Sequence, residues 1–162
     1  MKESYLETVS LIERLHRHFL EVVKAELDKL GIRDCNNIQA LILFNIGNEE
    51  LTVGELTLRG YYLGSNVSYN LKKMVDNDYL AQERSAHDRR SVRVRLTEKG
   101  QALCATMDTL FDRQIAHIES HGGVSAEDLA TSNATLLRLE RFWTSMMQYG
   151  LPDIKETTDN NL

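Results

Sequence analysis

The chain has 162 residues, 42% hydrophobic and 27% charged, with a formal net charge of −5 and two cysteines. That balance describes a globular domain, and no run approaches the roughly 18 apolar residues of a membrane span. Met1-Lys2-Glu3 leads straight into a charged helical pattern with no secretory leader, so the cytoplasm is the expected compartment.

Tyr5 to Leu30 reads as one long helix, with Tyr5, Val9, Ile12, His16, Phe19, Val23, Leu27 and Leu30 recurring at three- and four-residue steps. Gly31 ends it. Asp34 or Asn36 can cap the next helix, whose Ile38, Leu41, Ile42, Phe44 and Ile46 are apolar on more than one face, as an interior helix requires. Cys35 lies beside that helix start, where the dipole can lower a thiol pKa, so a redox role is one reading. Gly47-Asn48 stops the helix.

Leu51-Thr52-Val53 is a short extended piece, Gly54 to Gly60 a short helix, and Tyr61-Tyr62-Leu63-Gly64 a connection. A helix from Ser65 or Asn66 to Asn77 follows, with Val67, Leu71, Met74 and Val75 facing inward. Next comes a hairpin. Tyr79 to Ser85 is one strand, His87-Asp88-Arg89-Arg90 a charged tip, and Val92, Val94 and Leu96 alternate against Arg93 and Arg95 in the return strand. Thr97 caps a long helix with Leu103, Met107, Leu110, Phe111, Ile115 and Ile118 on its apolar side, and Cys104 shares that stripe as a small hydrophobe. Gly122-Gly123 breaks it. Ser125 and Asp128 resemble a capping box, and the last helix carries Leu129, Leu136, Leu137, Leu139, Phe142, Trp143, Met146 and Met147 as far as Gly150-Leu151-Pro152. Asp153 to Leu162 is a polar tail expected to be disordered.

The predicted fold is mainly α with a small β-hairpin wing, a winged helix-turn-helix flanked by N- and C-terminal dimerisation helices. One domain spans residues 1–162: residues 5–48 and 97–149 form the helical dimerisation part, 51–96 the DNA-binding part and 151–162 the tail. Charge supports that division. Residues 51–100 hold nine Lys/Arg against six Asp/Glu, whereas the remainder holds ten against eighteen. Local charge, not the total, meets phosphates. Arg84 to Leu96 alone contains five arginines in thirteen residues, suited to a phosphate backbone or a minor groove. The terminal helices bear more large apolar residues than the centre can cover, and a second copy would bury them under two-fold symmetry. An ordinary monomeric helical core is the plainer alternative. The chain lacks a Gly-x-Ser-x-Gly elbow, a phosphate-binding glycine loop and His-Glu-x-x-His, so no enzyme class is indicated; a helical adaptor that binds only protein is the non-DNA alternative.

Asp88-Arg89-Arg90-Ser91, the strand Val92 to Leu96 and then Leu96-Thr97-Glu98-Lys99-Gly100 together resemble the wing signature of the MarR family of winged helix-turn-helix repressors. Leu51-Thr52-Val53-Gly54-Glu55-Leu56 matches that family's lead into the first helix of the DNA-binding pair, and the resemblance covers roughly residues 5–149. One stretch departs from it: Tyr61-Tyr62-Leu63-Gly64-Ser65-Asn66 stands where members often read Gly-Leu-Ser. The string from Arg59 to Leu80 is similar to a subgroup typified by the L,D-transpeptidase regulator LdtR.

A helix of this kind enters the major groove by its N-terminal turn. Asn66 can pair with adenine or simply cap the helix; Ser68 or Tyr69 can meet bases or phosphate, and Ser65 a phosphate at the helix start; Lys72 and Lys73 suit the backbone or a solvated face. At the wing, Arg90 is the candidate for the minor groove with Asp88 fixing its guanidinium, and Arg89 for the flanking phosphate. Arg84, Arg93 and Arg95 are candidates for either phosphate contact or structural ion pairs. The partners expected are a pseudo-palindromic duplex operator and a second copy of the chain, with no membrane and no cofactor. The resemblance also implies repression relieved by a small, aromatic or phenolic effector, for which His16, Phe19, Phe44, Tyr61 and Tyr62 are candidate lining or moving residues; core or hinge packing is the alternative for each. His117 and His121 stand one helical turn apart, with His16 and His18 in the first helix, but no third ligand adjoins them in sequence, so no metal site is assigned.

Overall fold

The computed structural model describes residues 1–58, 64–84 and 92–150, and the side chains of Ser65 and Arg84 lie outside that description. Its elements run α1 (Lys2–Lys29), α2 (Asn37–Ile46), β1 (Leu51–Thr52), α3 (Val53–Leu58), α4 (Gly64–Asp76), β2 (Leu80–Arg84), β3 (Val92–Leu96), α5 (Glu98–His117), a π-helical turn (Ile118–Gly122) and α6 (Ala126–Tyr149). The chain divides into two compact units, Met1–Arg113 and Gln114–Leu162.

Helix ends follow from local chemistry. Gly31 closes α1 at φ 71°, with its amide bonded to the Asp28 carbonyl and that of Ile32 to the Leu27 carbonyl, a Schellman ending. The same pair of bonds ends α4, from Asp78 to Val75 and from Tyr79 to Met74, although Asp78 takes the left-handed position at φ 61° without being glycine. Of the two cap candidates for α2, Asn36 is the cap. Its side chain accepts from the Gln39 amide while Gln39 reaches back, a full capping box. Ser125 and Asp128 form the corresponding box on α6.

The core lies in the first unit. α2 is buried through Ala40, Ile42, Leu43 and Ile46, as its all-round apolar pattern requires, with Val23 and Leu27 of α1 and Leu103, Met107 and Leu110 of α5 in the same cluster. Arg113 of α5 pairs with Glu26 of α1, a carboxylate almost wholly buried and held below its usual pKa first by that hydrogen bond. The expected two-stranded hairpin is instead part of a three-stranded antiparallel sheet of order β1-β3-β2. Leu51 pairs with Val94 and Thr52 with Arg93, which anchors the return strand on both edges. Val94 and Leu96 point into the core while Arg93 and Arg95 remain exposed, the alternation the sequence shows.

The Leu96-Thr97-x-x-Gly100 string acquires a physical meaning here. Leu96 is buried, and the Thr97 hydroxyl donates to the Asp78 carbonyl at 2.6 Å and accepts from the Gly100 amide at 3.1 Å, capping α5. A Cβ on Gly100 would stand 2.3 Å from the Tyr79 carbonyl oxygen, so only glycine lets α5 pass this close to the strand entry.

In the second unit, α6 has no buried residue, and Leu129, Leu136, Leu137, Phe142 and Met147 are exposed in the single chain. The same holds for Leu6, Leu11 and Leu15 of α1. No described helix is long and apolar enough to cross a membrane.

Candidate nucleic-acid interface

α4 has two chemically opposed faces. Val67, Leu71 and Met74 are buried, 1 to 5% exposed, and seat the helix against α2, α3 and β2. Asn66, Ser68, Tyr69, Lys72 and Lys73 are exposed and fall on the opposite arc. Tyr69, a large aromatic, is 63% exposed on this face. The first turn of α4 carries no acidic residue, so neither charge nor dipole there repels an anion. Ser65 is in the same helix, with its side chain outside the described residues.

Asn70 is polar yet 8% exposed on the inner face. It accepts from the Gln39 side chain at 3.1 Å and donates to the Asn66 carbonyl at 2.9 Å.

The sheet beside α4 supplies further cations. Arg95 pairs with Glu83 on the neighbouring strand at 3.2 Å, which favours the ion-pair reading for that arginine. Arg93 is exposed, and Arg84 ends β2. Asp88, Arg89 and Arg90, like Tyr61 and Tyr62, lie outside the described residues. A cleft of about 470 Å³ opens between α4 and the sheet, lined by Leu71, Val75, Val92 and Val94 together with Lys72 and Asp76.

Behind α4, Asp34 is not a helix cap but a junction. It accepts from Lys99 Nζ at 2.6 Å and from the Tyr79 hydroxyl at 2.8 Å, while Lys99 also donates to the Asn77 carbonyl at 2.9 Å and sits over the Tyr79 ring. The Lys99 and then the Tyr79 hydrogen bond hold the Asp34 carboxyl below its usual pKa, and burial with that same bond pushes the Tyr79 phenol up. The neighbouring Cys35 does not fit the redox reading. It is 4% exposed, and desolvation, with the Asp34 carboxylate beside it, pushes its pKa up to about 12.

Of the effector candidates, Phe19 and Phe44 are brought together through Phe111, at ring-centroid distances of 6.1 and 5.0 Å. Phe111 lies on the apolar stripe of α5, and the helical period of that stripe is the sequence signal that places it here. His16 is exposed on α1, one turn before Phe19. The His117 and His121 rings stack at 5.0 Å, and among the described residues no three His, Cys, Asp or Glu gather into a metal-binding group.

Residues 36–100 match a winged helix DNA-binding domain family. The chain is 42% identical over 151 residues, 91% of its length and 76% of the relative's, to the exopolysaccharide II synthesis transcriptional activator ExpG of Rhizobium meliloti. Its fold is that of Streptococcus pneumoniae FabT, crystallised with DNA, at TM-score 0.69 and 20% identity over 88% of this chain and 99% of that one. A mutant MarR from E. coli complexed with operator DNA is similar at TM-score 0.68 and 20% identity, over 84% of this chain and 95% of that one.

The chain belongs to the MarR family.

As a MarR-family protein it is a transcription regulator with a winged helix DNA-binding domain and not an enzyme. In the terms of that family α3 and α4 are the helix-turn-helix pair, and β2 and β3 the stem of the wing.

Proposed function

We propose that this MarR-family chain binds duplex DNA in the cytoplasm as a homodimer on a pseudo-palindromic operator. The observation that carries the reading is the division of α4 into a buried apolar face and an exposed face of Asn66, Ser68, Tyr69, Lys72 and Lys73. That face enters the major groove, Asn66 and Tyr69 reaching bases and Ser65, Ser68, Lys72 and Lys73 the backbone. The wing adds Arg90, oriented by Asp88, in the minor groove, with Arg89 and Arg84 on flanking phosphates. FabT and MarR, which share the fold, were both crystallised with DNA, and this supports the same use of the helix. The uncovered apolar residues of α1 and α6 support the second copy, which would set two α4 helices one turn of DNA apart.

A dimer across a promoter most simply excludes polymerase, so the output proposed is repression, relieved by a small aromatic or phenolic effector. Phe19, which is 37% exposed, and Phe44, both against Phe111, offer ring surface for it, with His16, Tyr61 and Tyr62 as further candidates. The second reading is activation, favoured by the name of the 42%-identical rhizobial relative. The same dimer bound upstream of a promoter would recruit polymerase rather than block it. Likeness of residues 59–80 to the LdtR subgroup supports membership of that subgroup within the family.

The test begins with selection of duplex fragments by the purified protein, followed by gel shifts across salt concentrations and transcription in vitro from a selected promoter. The expected complex contains two copies of an 18.5 kDa chain. A monomer in solution, or no preference between selected and random duplex, would refute the reading. Loss or gain of transcript separates repression from activation, and titration of phenolic acids against the complex tests the effector.

A further inference from the structure

A line of amide groups, buried at its middle, runs from the start of α2 to the first turn of α4. The Asn36 amide donates to Gln39 Oε1 at 3.0 Å, and Gln39 Nε2 donates to Asn70 Oδ1 at 3.1 Å. Asn70 Nδ2 then donates to the Asn66 carbonyl at 2.9 Å. Gln39 and Asn70 are 6 and 8% exposed, and each side-chain amide is used at both its donor and its acceptor end. Among the described residues no buried side-chain nitrogen or oxygen is left without a partner.

We propose that Gln39 and Asn70 are positioning residues for sequence discrimination, fixing the rotation of α4 about its own axis so that Asn66 and Tyr69 meet base edges squarely. This rests on the reading of α4 as the helix that enters the major groove. The physical ground is the contrast between the two kinds of contact α4 makes with its support. Val67, Leu71 and Met74 pack by shape alone, and apolar contacts tolerate small rotations at little cost. A buried amide pair does not. A turn of the helix that parts Gln39 from Asn70 leaves two desolvated polar groups unpaired, so one orientation is selected. The pair acts on the first turn because Asn70 bonds back to Asn66, whose side chain is exposed at the end that enters the groove. A pair of leucines would fill much the same space at little net cost beyond the capping-box bond from the Asn36 amide to Gln39, so the buried amide pair itself contributes orientation more than stability.

The test is the Gln39→Leu/Asn70→Leu double variant, with Asn70→Ser as a second variant that keeps a hydroxyl able to bond the Asn66 carbonyl. Thermal unfolding, affinity for the duplex selected by the wild-type protein, and affinity for a random duplex of equal length are measured at one salt concentration. The expected result for the leucine pair is an unfolding midpoint close to wild type, lowered by no more than the lost capping-box bond, and unchanged random-duplex affinity. Its ratio of selected to random affinity should fall by about tenfold or more. Asn70→Ser, which keeps a bond within α4 but not the one from Gln39, should lose that ratio as well. A leucine pair that keeps the ratio within twofold would overturn the proposal. So would loss of folding, or equal loss of both affinities, since either assigns the amides to stability alone. Failure of the wild-type protein itself to prefer any duplex would instead overturn the DNA-binding reading beneath it.

Discussion

Lys99 and Asp34, 65 residues apart in sequence, meet with Nζ 2.6 Å from Oδ2 and tie the first turn of α5 to the loop before α2. Lys99 also holds the Asn77 carbonyl, so the same ammonium fastens the end of α4. Because Asp34 has a lowered pKa in the folded chain, its contribution is present above the unfolded carboxylate pKa and lost as pH falls through the folded value. Both side chains are nearly half exposed, so the pair contributes only about 0.2–1 kcal/mol. Asp34→Asn is expected to lower the unfolding free energy from urea titration by that order at neutral pH, and to approach wild type at an acidic pH below the folded value of Asp34. Equal losses at both pH values would show that the charge is not what stabilises the junction.

Gly100→Ala should be among the most damaging single-methyl changes in the chain. The new Cβ would lie 2.3 Å from the Tyr79 carbonyl, which cannot swing aside without losing its 3.1 Å bond from the Thr97 amide. Overpacking of this kind costs about 1–3 kcal/mol. Urea unfolding of the variant reads it directly, and an unchanged midpoint would mean that α5 can shift away from the strand.

Cys35 should be chemically quiet. Its thiol is buried with a pKa of about 12, and that of Cys104 is raised to about 11. Iodoacetamide at about pH 8 should therefore label Cys35 only at the rate at which the fold opens, and mild peroxide should leave DNA affinity unchanged. Mass spectrometry that finds Cys35 fully alkylated within minutes, before the chain unfolds, would restore a redox-sensing reading.

Two charge deletions separate the roles of helix and wing. Arg90→Ala is expected to weaken binding to the selected duplex by about 1–3 kcal/mol. Lys72→Ala should weaken all duplexes alike and reduce the slope of log affinity against log salt by about 1. Gel shifts over a salt series distinguish them, and unchanged binding in both folded variants would remove this docking geometry.

The sequence alone determined the elements and their order, because periodicity and capping are local. The α4 stripe of Val67, Leu71 and Met74, the Gly31 ending and the Ser125–Asp128 box could each be read from residues within a few positions of one another. The Leu96-Thr97-x-x-Gly100 string gave the family resemblance, yet the reason for its glycine is a carbonyl 21 residues earlier that only the folded chain brings near. Tertiary structure decided what depends on distant partners. It showed that Asp34 serves Lys99 and Tyr79 rather than α2, that β1 joins the wing sheet through β3, and that Arg95 is engaged with Glu83. It also decided between the readings of Cys35 against a reactive thiol, since a helix start is visible in sequence while desolvation depends on everything packed around it. Asn70 marks the division most clearly. Its place among apolar neighbours on the α4 stripe was open to inspection, but the amide that answers it stands 31 residues away on another helix. Pairwise contacts at that range are fixed by packing geometry, which no local pattern encodes.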